Sequence, residues 1–381
     1  MDRKTDIVVT TIFEPDWLAG YLKNLKEYGH QDQVTIRIIT DRKTPESVYR
    51  AAADASQQGF NIDCPTLKEQ SEYLNKLGLE NDFIPWDTDN RRNIGFLRAW
   101  EADAEVLISI DDDNYCRSDS DFIAAHGAVG CPATPEPSDL LSQGPWFNIC
   151  DLLETQNETP IFPRGFPYHQ RNNYKHAVSK PENLDSNIAI NAGLWLEDPD
   201  VDALTRLTLS PHAKNASNAA VFLSDETWSP INTQNTALSR DAIPAYYYIR
   251  MGYGLEGLTL DRFGDILSGY FIQKCTKAMG HAIRIGSPVA EHKRTPHNLF
   301  KDLYHELAGI VLIEDLLPWL IELKLYGNNY IELYAELADA LDTQSPKFKG
   351  FVWDQGGREF LCETADSMRR WLKVIRQISS E

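Results

Sequence analysis

Asp111, Asp112 and Asp113 stand side by side after the apolar run of residues 105–110 (EVLISI). Adjacent carboxylates repel one another unless a cation neutralises them. Mn2+ or Mg2+ does so through hard oxygen ligands and also binds a nucleotide diphosphate. In an extended segment Asp111 and Asp113 point the same way and can share one metal, and Asp112 is placed with the nucleotide. The alternative is a solvated acidic loop. Upstream, Arg91 and Arg92 stand where a helix is expected to begin. Guanidinium forks and helix-start N–H groups both match phosphate oxygens, so one of the two is expected to hold a diphosphate. Asp41 follows another strand-like run and is suited to accept hydrogen bonds from a uracil or a ribose.

These residues need a frame. Residues 6–12 (DIVVTTI), 34–39 (VTIRII) and 105–110 are short runs rich in β-branched residues, the pattern of buried parallel strands. Helical spacing near residues 17–28, 45–58 and 92–104 alternates with them, which predicts a Rossmann-like α/β sheet. Ligands of such sheets sit at the carboxyl ends of the strands. The polar clusters at residues 14–16, 41–43 and 111–113 fall there. Further strands are expected at 237–238, 246–249 and 282–290. Residues 116–228 read as loop-rich and as the acceptor side of a site, and 298–341 as helical. The expected organisation is a catalytic domain over 1–297 with a helical C-terminal extension over 298–381.

The 381 residues are 42% apolar and 24% charged, a globular composition. A net charge of −19 repels nucleic-acid backbones and anionic lipid, so neither is an expected partner. The six cysteines form no CxxC pair and no zinc spacing, which points to a reducing, cytoplasmic compartment. The apolar stretch 308–325 carries Glu314, Asp315, Pro318 and Glu322, so it reads as a packed helix and not a membrane span. No charged-then-apolar leader precedes the first strand. Homo-oligomerisation is left open.

Four segments occur in an informative order: IDDDN ending at Asn114, RGFPY from Arg164, GLWLEDPDVD from Gly193, and DRFGDI from Asp261. Together they resemble the reversibly glycosylated polypeptides, the UDP-arabinopyranose mutase family. The opening VVTTIFEP and the DRKTP turn are more similar to STELLO-type glycosyltransferases. The resemblance implies a GT-A fold, a UDP-sugar ligand, and Mn2+ or Mg2+ at the acidic triplet. It implies that Arg164 matches the family's glycosylated arginine and that Arg171 matches a second arginine. The family's paired acids near the end of the domain read Gly264-Asp265 here, so the first acid is missing and Asp265 remains. GT-A enzymes often use a late histidine as a metal ligand, which here is His292, with Lys293 and Arg294 beside it toward the diphosphate.

Chemically, a guanidinium stays protonated and is a poor nucleophile, so charge stabilisation toward a diphosphate suits Arg164 better. A salt bridge in a tight turn is the structural alternative. Asp265 suits a base or a sugar-holding group, or else a helix-start residue. The expected function is a metal-dependent transfer or pyranose–furanose isomerisation of a UDP-sugar, with an unidentified acceptor in the transfer case. A non-catalytic sugar-nucleotide-binding subunit is the second reading. A nucleotidyltransferase is a weaker third, because VVTTIFEP contains no Gly-rich phosphate loop.

Overall fold

The structure, a computed structural model, describes residues 3–80, 82–157, 159–181, 184–295 and 297–380. The three expected runs become β1 (Thr5–Thr11), β2 (Val34–Thr40) and, after the short β3 (Asn61–Asp63), β4 (Val106–Asp111). β1 lies between β2 and β4, parallel to both, and β3 extends the parallel set beyond β2. Helices α1 (Leu18–Glu27), α2 (Glu46–Gln57), α3 (Leu67–Lys76) and α4 (Arg92–Glu101) supply the crossovers. Alternate strand residues feed two cores. Ile7, Val9, Ile36, Ile38, Ile108 and Ile110 pack with α1 and α2, whereas Val8, Ile39 and Leu107 pack with α3 and α4. With both faces covered, the strands have no reason to alternate apolar and polar residues.

Beyond β4 the sheet continues through the antiparallel strand Asn235–Ser239 to Ile188–Glu197 and then Ala282–His292. A parallel half in the order 3-2-1-4, joined by an antiparallel strand to a mixed half, is the expected GT-A-type α/β architecture. The middle of the chain is less loop-like than its composition predicts. Its strand Ile188–Glu197 is buried along all but its last residue. Residues 246–249 do not form the expected strand. Their backbone bonds go to side chains instead: Asn93 accepts from the Tyr248 N–H, the Tyr248 carbonyl accepts from Asn90 and Asn93, and Ser268 bridges Tyr247 and Ile249.

The C-terminal region forms helices Leu299–Glu322, Tyr330–Gln344 and Arg358–Ser380. Leu316, Leu333, Tyr334 and Trp371 bury fully in the core that also holds α4 and the helix Gly264–Ala278. Trp371 donates to the Pro244 carbonyl at 2.9 Å, and Trp100 to that of Ile375 at 3.2 Å. Among the described residues no helix is long and apolar enough to cross a membrane.

Candidate active site

The carboxyl ends of β1, β2 and β4 open into a cavity of about 340 Å3. Asp41, Arg91, Arg92, Asp111, Asp112, Asp113, Arg164, Asp265 and His292 all line it. Segments far apart in sequence therefore meet at the place the strand order dictates.

On the nucleotide-facing side, Asp41 is 6% exposed, and its carboxylate accepts from the N–H groups of Arg42 and Asp87 at 2.6 and 2.7 Å. It ties two loops together as well as facing the cavity. Arg91 is 1% exposed and has neutral partners only. It donates to the Ile84 carbonyl and to Gln70, stacks 3.5 Å over Trp86, and leaves Nε without a partner. Burial pulls its pKa down to about 10, so it remains a cation. Arg92 is committed elsewhere. It donates to Ser109, the Ile110 carbonyl, Thr10 and, at 2.5 Å, Asp111. Of the two arginines, Arg91 is the one without a carboxylate hydrogen-bond partner among the described residues, with Asp41 acting on it only through its charge.

In the acidic triplet, burial pushes Asp111 up to about 7, with Asp113, Asp265 and Asp112 adding to it and Arg92 opposing. Burial likewise pushes Asp112 up to about 6. Burial also acts on Asp113, but the His292 hydrogen bond and charge outweigh it and hold this carboxyl below its usual value. His292 Nε2 lies 3.1 Å from Asp113, and its Nδ1 donates to the Asp198 carbonyl at 2.5 Å. Burial lowers the His292 pKa, yet the Asp113 contact leaves it raised overall. With Nδ1–H fixed on that carbonyl, Nε2 carries a proton to donate to Asp113 and must lose it to serve as a metal ligand. Among the described residues, no three His, Cys, Asp or Glu side chains already converge on one metal position. The donor set is Asp113 with His292, and Asp111 is turned to Arg92. That set, an oxygen and a nitrogen donor beside further carboxylates, would fit a divalent ion.

Three of the motifs join opposite the triplet. Arg164 Nε and Nη2 donate to Asp200 at 3.1 Å each, while Nη1 and Nη2 donate to Asp265 at 3.0 and 2.7 Å. Nη1 also donates to the Arg262 carbonyl. These bonds use all five N–H donors of the guanidinium. Arg262 has φ 57°, a left-handed backbone that turns this carbonyl inward. Burial disfavours the Arg164 charge, but Asp200 and Asp265 raise its pKa well above the ordinary arginine value. Asp200 is held down to about 2, because Arg164 and Asn232 outweigh burial. Gly165, at φ 86°, shapes the turn, and a Cβ there would lie 2.4 Å from Ile266 Cγ2. The missing first acid has a steric cause: a Cβ on Gly264 would lie 2.4 Å from the Ile249 carbonyl oxygen.

Two expected residues are not brought to the cavity. Arg171 donates to Asp202 at 2.6 Å and stacks 3.6 Å over Tyr168, so it buttresses the RGFPY turn. Lys293 is half-exposed, 3.3 Å from Glu291 and 4.6 Å from the Tyr115 ring. Arg294 lines the cavity in its place. The period-two alternation of a strand end puts Arg294, not Lys293, on the His292 side. Asp200, Arg206, Gln234, Tyr248 and Arg262 also line the cavity without having been singled out. The DPDVD and DRFGDI motifs already contained Asp200 and Arg262, while Arg206, Gln234 and Tyr248 had no local signal.

The chain is similar to curated proteins over nearly its whole length. Probable UDP-arabinopyranose mutase 1 of Pisum sativum is 25% identical over 384 residues, spanning 98% of this chain and 91% of its own length. UDP-arabinopyranose mutase 1 of Arabidopsis thaliana is 25% identical over 389 residues, spanning 98% and 92%. Probable UDP-arabinopyranose mutase 2 of Solanum tuberosum is 27% identical, spanning 98% and 90%. Among solved structures, glucosyl-3-phosphoglycerate synthase of M. tuberculosis is similar at 11% identity and a TM-score of 0.39, over 83% of this chain and 80% of that one. At that score the fold assignment rests on the strand order described above. The sequence model described as "RGP: Reversibly glycosylated polypeptide" matches residues 1–380, and the chain belongs to that family.

Proposed function

We propose that the chain is an enzyme that binds a UDP-sugar at the carboxyl ends of β1, β2 and β4 and transfers or isomerises its sugar. The observation that carries this reading is the union, in one cavity, of the acidic triplet with His292 and the Arg164–Asp200–Asp265 cluster. The nucleoside lies toward Asp41 and Arg91, the diphosphate toward Asp112, Asp113 and His292, and the sugar toward Asp265. Gln234 also lines the cavity, and its amide is suited to hydrogen-bond a sugar hydroxyl. Asp113 and His292, with Asp111 within the same triplet, would hold Mn2+ or Mg2+, which when bound would supply positive charge to the leaving diphosphate.

Cleavage of the anomeric C–O bond leaves its electron pair on the diphosphate. The Arg91 cation, which hydrogen-bonds to no carboxylate among the described residues, faces the same cavity and favours that charge. Asp265 orients a sugar hydroxyl or takes its proton. Arg164 acts through Asp265 and Asp200 and holds both carboxylates ionised and in place. With its N–H donors all engaged it is a positioning residue, not a nucleophile. In an isomerisation UDP returns to the anomeric carbon after the ring has recontracted. In a transfer an acceptor hydroxyl attacks instead.

The relatives are named UDP-arabinopyranose mutases, which makes UDP-arabinopyranose the first substrate to test. Appearance of the furanose isomer without an acceptor would establish the mutase. UDP release only with added acceptor would establish the transferase. Neither product from this or any other UDP-sugar, with binding retained, would favour a non-catalytic binding subunit.

A further inference from the structure

The far wall of the cavity carries arginines that the nucleotide-sugar assignment leaves unused. Arg206, Arg262 and Arg294 all face it, together with His297. Asp302 is the hub behind them. Its carboxylate lies 2.7 Å from Arg294, 3.6 Å from Arg262 and 3.2 Å from His297. Glu306 accepts from Arg262 Nε at 3.0 Å, but its other oxygen is used by the Ala203 N–H. Arg206 donates to Asp198 at 3.1 Å and to the Pro199 carbonyl at 2.6 Å.

Donors remain unspent. The Arg206 side chain is 9% exposed, and among the described residues its Nη1 and Nη2 make one bond each, which leaves one N–H on each. Among the described residues Arg294 makes a single side-chain hydrogen bond, through Nη2 to Asp302. Arg262 makes one through Nε, and its Nη1 stands beyond hydrogen-bond reach of Asp302. The arginines also feel one another. Burial lowers the Arg294 pKa first, and the charges of Arg206 and Arg262 lower it further. Cations packed this closely, with N–H groups left over, form a cradle for an anion.

We propose that Arg206, Arg262 and Arg294 form an anion subsite that takes one phosphate or carboxylate group beside the bound UDP-sugar. The inference rests on the UDP-sugar reading for its place in the reaction, and on the arginine cluster alone for its chemistry. The anion has two sources with the same chemistry: a second, anionic ligand such as a phosphorylated acceptor, or a carboxylate on the sugar itself.

Calorimetry on the full chain tests it. Inorganic phosphate titrated into UDP-saturated protein should bind. Arg206→Gln should weaken phosphate by about tenfold or more, since it loses a charge-assisted bond. A melting curve checks that the variant folds. UDP affinity in phosphate-free buffer should stay unchanged. A parallel loss of UDP affinity would overturn the proposal, because the arginines would then cradle the diphosphate. UDP-glucuronate binding more tightly than UDP-glucose, with phosphate abolishing the difference, would place the anion on the sugar. Phosphate and UDP-glucose binding together without competition would place it on a second ligand. Absence of both phosphate binding and any UDP-glucuronate preference would overturn the subsite. If wild-type protein binds no UDP, the nucleotide-sugar reading fails, and phosphate titrated alone decides the subsite.

Discussion

At the scale of single residues, charge pairing separates the groups that bind from the groups that position. Arg164→Ala leaves Asp200 and Asp265 buried opposite one another without their cation. Breaking a buried pair in this way costs about 3–5 kcal/mol, so the variant should melt well below wild type. Arg164→Lys keeps a charge but not the double fork, and should retain more stability than activity. Equal melting of Arg164→Ala and wild type would contradict the positioning role. Asp265→Asn keeps the shape and a helix-start residue but removes the charge. If Asp265 acts as a general base, turnover should fall by about 10²–10⁴ with UDP affinity little changed. Wild-type turnover would retire that role. The sequence already singled out residues that line the cavity, including Arg164 and Asp265, but not which donors were spent. Arg91 and Arg92 are adjacent in sequence, yet one has neutral partners and the other an aspartate. Only the fold decides that difference, because Asp111 sits at the end of the strand that Arg92 reaches.

At the scale of elements, the regular parts were legible and the irregular ones were not. β1, β2 and β4 announce themselves because burial on both faces demands continuous apolar runs. The strand Ile188–Glu197 hid inside a Pro- and Asn-rich region, although its own IAINAGLWL is as apolar as the others. Tyr246 to Ile249 looked like a strand because aromatic residues favour one. Asn90, Asn93 and Ser268 took its backbone bonds. A related device joins the short helix Phe122–His126 to the sheet: His126 is buried, 3.0 Å from Asn235 and 3.2 Å from Asn191. Burial, partly opposed by the Asn235 bond, pulls its pKa from 6.5 down to about 3. The folded value lies below the unfolded one, so the neutral ring's contribution is complete above pH 6.5 and is lost as pH falls toward 3. Chemical denaturation between pH 7 and 4 should show this loss, at up to about 1.4 kcal/mol per pH unit. His126→Gln should remove that component of the slope. An unchanged slope would show that His126 does not set it.

At the scale of the whole molecule, the C-terminal helices belong to the site's support. Leu299–Glu322 contributes Asp302 and Glu306, which hold Arg262 and Arg294, and Arg358–Ser380 buries Trp371 against Pro244. The sequence revealed most of the helical character after residue 298 but not that these helices close the core over α4. A chain ending at residue 297 should therefore expose that core and fail to give a cooperative melt. A soluble, cooperatively melting 1–297 fragment would contradict this. The central claim, that the cavity holds a UDP-sugar by its diphosphate, is tested most directly by calorimetric titration of UDP. With Mn2+ or Mg2+ present UDP should bind, and EDTA or Asp113→Asn should weaken that binding strongly. Equal affinity with and without metal, or no binding in either case, would contradict the account.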